Sequence, residues 1–179
     1  MAEAHPHVFA DVTIKAVFSQ DGFTGVRNHW VYDEVYSAAI MASVDADGNG
    51  KIMGAENESV KKLVLEPIRQ SNYFNYVLKE TSFLQAGKIE SFSAEMKNGK
   101  LVLDFKIAFF VPVASDYTML VIVVSDQTNY IQMTVDMENA DVDAPDAMDV
   151  EFFPDNLKGL TMFRAFMSDT EGLFLRYKK

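Results

Sequence analysis

The sequence has no cysteine. That excludes thiolate catalysis, Cys-ligated zinc and disulfide bridging. Histidine is nearly as scarce, with three in 179 residues. They stand at positions 5, 7 and 29, so imidazole chemistry is confined to the start of the chain. Basic residues are outnumbered, 16 Lys and Arg against 26 Asp and Glu, for a formal net charge of −10. Such a surface is unsuited to nucleic acid, whose binding rests on neutralising phosphates. No apolar run approaches the ~18 residues of a membrane span. There is no glycine-rich phosphate loop, no Ser/His/Asp arrangement and no carboxylate pair set apart as acid and base. An enzyme is therefore not the expectation. Hydrophobic residues make up 49% and charged residues 23%, which are globular proportions. A chain of this length buries roughly two-thirds of its unfolded surface and needs no covalent staples.

Residues 7–18 alternate. Val8, Ala10, Val12, Ile14, Ala16 and Phe18 share one face, and His7, Asp11 and Lys15 the other, which is the period of a half-buried strand. Gln20-Asp21-Gly22 is turn chemistry, and residues 24–32 read as a second strand, hairpin-paired with the first. At Asp33 the period becomes helical, with Tyr36, Ile40, Met41 and Val44 on one stripe and Asp33 placed as the N-cap. A second helical stripe, Val60, Leu63, Val64 and Ile68, should kink or stop near Glu66, because Pro67 lies inside it. Residues 76–83, 88–96, 101–111, 119–124 and 130–135 read as strands. Lys97-Asn98-Gly99-Lys100 is a hairpin signal between two of them. The acid-rich stretch 136–151 reads as a solvated loop, 154–166 as a short helix and 173–177 as a last strand. The expected fold is α+β and mainly β. It is one sandwich-like domain over residues 5–179, with a helix–loop–helix inserted at 33–72 after the second strand.

Between the two helical stripes stands Asp45-Ala46-Asp47-Gly48-Asn49-Gly50-Lys51-Ile52-Met53-Gly54-Ala55-Glu56. This is the twelve-residue pattern of an EF-hand calcium loop at every defining position. Asp45, Asp47 and Asn49 supply oxygens at positions 1, 3 and 5, and Gly50 permits the sharp turn at position 6. Lys51 coordinates through its carbonyl at position 7, Met53 leaves position 9 to water, and Glu56 can bind through both oxygens at position 12. Hard oxygen donors on a flexible ring favour calcium. No second loop is found, so the expected role is structural, with regulation as the alternative.

His5 and His7 are two apart, a spacing that puts both on one face of a strand. His29 lies on the strand expected to pair with theirs. Three imidazoles, with a carboxylate, make a plausible zinc, nickel or copper environment. The competing reading is an exposed terminus plus a packed His29. Ala2-Glu3-Ala4 has the small-x-small form seen before a signal-peptide cleavage site, so residues 1–4 are expected to be the remnant of an export signal.

Three stretches, His5-Pro6-His7-Val8-Phe9, His29-Trp30-Val31-Tyr32-Asp33-Glu34-Val35-Tyr36-Ser37 and the loop opening Asp45-Ala46-Asp47-Gly48, together resemble a family of bacterial periplasmic proteins of poorly defined function. These are ZevA-like proteins that partner NicO-type nickel, cobalt or zinc permeases. The likeness runs over residues 5–135. It implies a periplasmic location after signal cleavage, and His5, His7 and His29 as transition-metal ligands. Asp126, in Ser125-Asp126-Gln127-Thr128-Asn129-Tyr130, would be a fourth ligand or a hydrogen-bonding partner of the ligands. This stretch departs from the family's pattern at Gln127, where a proline is usual, and at Asn129. The resulting expectation is a periplasmic metal-binding accessory protein, passing zinc (or nickel or cobalt) to a membrane permease and carrying a calcium ion in its loop. Two alternatives stand beside it. One is a calcium-stabilised interaction module without transition-metal chemistry. The other is a copper redox enzyme using an N-terminal histidine.

Overall fold

A computed structural model of the protein describes residues 7–166 and 169–179. His5 and residues 1–4 lie outside them. The chain is mainly β, in two sheets. The elements run β1 (Val8–Ser19), β2 (Gly22–Tyr32), α1 (Glu34–Val44), α2 (Ala55–Val64), a 3-10 segment Glu66–Phe74, β3 (Asn75–Lys79), β4 (Ser82–Phe83), β5 (Ile89–Lys97), β6 (Lys100–Pro112), β7 (Thr118–Val124), β8 (Ile131–Val135), β9 (Asp141–Asp143), β10 (Asp149–Asn156), a short 3-10 turn Thr161–Phe163 and β11 (Glu171–Lys178).

The first sheet has the order β5-β6-β2-β1-β8, with β9 also beside β1; the second has β10-β11-β7-β3-β4. β1 pairs antiparallel with β2, from Ala10 opposite Tyr32 to Ser19 opposite Gly22. Its other edge is covered in parallel by two separate segments, β8 along Val8 to Val12 and β9 along Lys15 to Val17. The alternation read in residues 7–18 is therefore real. Its apolar face meets residues of the second sheet, among them Val77, Leu120, Ile122, Leu173 and Tyr177, in one buried cluster with Trp30, Phe105 and Ile107. Both helices feed the same cluster through Ile40, Val44, Val60 and Val64, followed by Leu65. Each such buried aliphatic side chain stabilises the fold by about 1.5–3 kcal/mol.

A polar tie crosses this apolar interior. Asn28 of β2 and Asn75 of β3 are both wholly buried. The Asn28 amide donates to Asn75 Oδ1 at 3.0 Å and accepts from Trp30 Nε1–H at 3.0 Å. The Asn75 amide donates to the Tyr73 carbonyl at 2.9 Å. Each amide is satisfied, so the pair joins the two sheets without leaving an orphaned group.

The turn before β2 depends on glycine. Gly22 has φ +137°, and a Cβ there would lie 2.2 Å from the Val111 carbonyl oxygen. Asp33 is the N-cap of α1, accepting from Tyr36 N–H at 2.9 Å, and its second oxygen accepts from Phe9 N–H at 2.8 Å. Burial pushes this carboxyl up. The donating backbone N–H groups of Phe9, Tyr36 and Val35 outweigh that and hold it below the ordinary aspartate range.

Three expectations are corrected. Residues 76–83 are not one strand but the β3–β4 hairpin, turned at Glu80 with φ +55°. The acid-rich stretch is not all loop. Asp141–Asp143 pairs with β1, anchored by Lys15 Nζ to Asp141 at 2.8 Å, and Asp149–Asn156 forms β10. Residues 154–166 are not a helix: 154–156 complete β10, and only Thr161–Phe163 turn as 3-10. Pro154 is tolerated because β10 is a sheet edge. As for Pro67, α2 ends at Val64 and the proline sits in the first turn of the 3-10 segment.

Candidate metal centre

The helix–loop–helix follows β2, between Glu34 and Val64. Asp45 is the C-cap of α1, its N–H donating to the Met41 carbonyl at 2.9 Å. The chain then turns through Gly48 (φ +70°), Gly50 (φ +74°) and Gly54 (φ +52°). Left-handed backbone of this kind is what a tight ring around a small cation demands of glycine.

The loop's side chains are drawn inward onto its own N–H groups. Asp45 accepts from Asn49 N–H at 3.1 Å and from Gly50 N–H at 2.9 Å. Asp47 accepts from Asn49 N–H at 3.1 Å and from its side-chain amide at 2.7 Å. Asn49 Oδ1 accepts from Lys51 N–H at 2.7 Å. Glu56 reaches back across the loop, Oε1 accepting from Ala46 N–H at 2.9 Å and Oε2 from Met53 N–H at 3.0 Å. Carboxylate oxygens of Asp45, Asp47 and Glu56 thereby lie within 4.8 Å of one another. Among the described residues this is the one group of three or more His, Asp or Glu side chains so gathered. Lys51 keeps its side chain in solvent, whereas Ile52 packs against the core.

The histidines are not gathered. His29 stands opposite Thr13 on β1, six residues from His7, which is roughly 20 Å at strand spacing. The expected joint site of His5, His7, His29 and Asp126 is thus corrected in one respect, His7 and His29 being too far apart to share an ion; His5 lies outside the described residues. His7 sits at the start of β1, its ring centroid 5.4 Å from that of Tyr130 and its N–H donating to the Tyr130 carbonyl. His29 faces outward on the first sheet, its ring half exposed. The ring is held through Nδ1 by Asp104 Oδ1 at 2.8 Å, from the facing position on β6. It is neither a core residue nor a neighbour of His7.

Asp126 is nearly buried and organises a turn. It accepts from Thr128 N–H at 2.8 Å, Thr128 Oγ1–H at 2.7 Å and Ile131 N–H at 2.9 Å. These donors aim its carboxylate at the entry to β8. Asp104 and the residues that fasten the helices to the sheet were missed in the sequence. β2 and β6 meet across 70 or more intervening residues, and no local turn signals their register.

The chain matches, over residues 1–165, the model of a family described as a protein of unknown function, DUF1007. It belongs to that family. The DUF1007 match takes in the 45–56 loop, all three histidines and Asp126, and stops short of β11. No curated protein matches the chain.

Proposed function

We propose that this DUF1007 protein is a cation-binding accessory protein whose 45–56 loop holds one calcium ion. The observation that carries the reading is the convergence of Asp45, Asp47 and Glu56 oxygens within 4.8 Å, on a glycine-turned loop closed by two helices. The donor set fits the ion: Asp45, Asp47 and Asn49 through side-chain oxygens, Lys51 through its carbonyl and Glu56 through its carboxylate. All are hard oxygens, which suit calcium and offer little to zinc or copper. Bound calcium would offset the repulsion of three close carboxylates and so brace the helix pair against the sheets. Calorimetric titration tests this directly. One calcium site is expected, lost in Glu56→Gln. A silent titration of the wild-type protein would refute it.

The wider role we propose is periplasmic, in service of a NicO-type permease for zinc, nickel or cobalt. Its support is the likeness at residues 5–9 and 29–37, together with the Asp104 carboxylate holding His29. A carboxylate on one ring nitrogen is the usual orienting partner of a metal-binding imidazole, and Nε2 would then be the nitrogen offered to the ion. On this reading His7, with His5, and His29 act as separate contacts. Zinc titration of His7→Ala and His29→Ala, with calcium saturating, should remove one contact in each. Zinc affinity unchanged in both would discard the role and favour a calcium-stabilised interaction module.

A further inference from the structure

We infer that the cation loop latches the edge of the first sheet. Asn57 closes β5 when the loop is filled and releases it when the loop is emptied. This rests on the calcium reading above.

β5 is the outermost strand of its sheet, so among the described residues its outer backbone groups lack a neighbouring strand. At one place a side chain substitutes. Asn57 Oδ1 accepts from Ala94 N–H at 2.8 Å, while its amide donates to the Phe92 carbonyl at 3.5 Å. A carboxamide presents a donor and an acceptor side by side, as a peptide unit does. Asn57 therefore stands in for one repeat of a missing strand. Asn57 is half-buried and Ala94 buried, which shelters the bond from water.

The other helix is fastened to the same hairpin. Ser37 of α1, wholly buried, accepts from Leu101 N–H at 2.7 Å and donates to the Asp33 carbonyl at 2.6 Å. Leu101 pairs with Met96, two residues from Ala94. Entry helix and exit helix thus grip neighbouring points of β5–β6, and the loop joins them. Its first acidic residue caps the end of α1. Its last, Glu56, is the residue before Asn57.

The start of α2 is tied to the loop by two backbone bonds, Glu56 N–H to the Met53 carbonyl at 3.0 Å and Asn57 N–H to the Gly54 carbonyl at 3.3 Å. Its cap is Gly54, which makes no side-chain capping bond. The Glu56 side chain reaches from the first turn back into the loop, to Ala46 and Met53. An ion that draws Glu56 onto Asp45 and Asp47 fixes that turn and, with it, the direction of the Asn57 side chain. Without the ion, three carboxylates in close array repel, and the turn that carries Asn57 loosens. Cation concentration then sets whether the Phe92 to Ala94 edge is sealed or open to another strand.

The test is hydrogen–deuterium exchange of the Ala94 amide in the full chain, with calcium and with EGTA, using the Trp30 amide of central β2 as reference. Calcium should slow Ala94 by about fivefold or more beyond its effect at Trp30, the scale of one hydrogen bond. In Asn57→Ala that excess should vanish, and calcium affinity should fall by the same factor, as linkage requires. If calcium binds but protects both amides equally, the latch is overturned and the calcium reading stands. If calcium does not bind, the calcium reading itself fails.

Discussion

Replacing Asn28 by alanine should cost far more than removal of one small polar side chain suggests. The substitution leaves two buried groups without partners, the Trp30 indole N–H and Asn75 Oδ1, each now 3.0 Å from an Asn28 atom. Stranding a buried donor or acceptor costs about 1–3 kcal/mol, so the pair should cost about 4 kcal/mol. That is a large part of the ~5–15 kcal/mol by which a domain is stable. With a urea m-value of about 2 kcal/mol/M, the midpoint should fall by about 2 M. The chain's one tryptophan is Trp30 itself. It is fully buried, so its fluorescence reports unfolding from the centre of the perturbed network. Adding Asn75→Ala removes the stranded oxygen, and the double variant should lose less than the sum of the two singles. A loss below about 1 kcal/mol for Asn28→Ala, or strict additivity, would refute the claim that these amides act as one tie between the sheets.

Three further outcomes are expected. If the loop holds calcium, exchanging calcium at 100 times its dissociation constant for EGTA removes about 2.7 kcal/mol. For a chain of this size, thermal scans should then show Tm lower by about 5–10 °C. Asp33→Ala should cost about 1 kcal/mol near neutrality through loss of the cap. The folded carboxyl titrates below its unfolded value, so its contribution is complete above about pH 4 and fades as pH falls through the folded value. Wild-type and variant stabilities measured by urea unfolding should therefore converge in acid. Gly22→Ala should cost about 2–3 kcal/mol in the same assay, because the new Cβ would meet the Val111 carbonyl at a positive φ.

The parts legible in the sequence are those governed by near neighbours. Alternation from Val8 to Phe18, the Asp33 cap and the Asn98-Gly99 turn each report local geometry, and each corresponds to a strand, helix or hairpin in the fold. The gathering of Asp45, Asp47 and Glu56 is legible for the same reason, since all three fall within twelve consecutive residues. The separation of His7 from His29 was also within reach. A turn at Gln20-Asp21 places Ser19 opposite Gly22, and counting back puts His29 against Val12, one residue from its actual partner Thr13 across the register shift at Val17/Phe18 and far from His7. Pairing the strands without counting the register brought the histidines together on paper. β9 and β10 were out of reach, because they are strands by virtue of distant partners. Asp141-Val142-Asp143 has poor strand propensity and is held by Lys15 to Val17 of β1. Residues Phe153 and Pro154 are extended because Phe174 and Leu173 of β11 lie beside them.

The double parallel cover of β1 has a consequence for the order in which the molecule can assemble. Strands β5, β6, β2 and β1 are complete once residue 112 exists, and two of their three contacts are hairpins that close quickly. The far side of β1 must wait for residues 131–135 and 141–143. Until then an apolar strand at the beginning of the chain offers a bare edge. Such long-range parallel pairing is slow to form and leaves time for wrong partners. Chains cut short after β6 should consequently associate through β1, and the final third of the sequence acts as the built-in guard of the first strand.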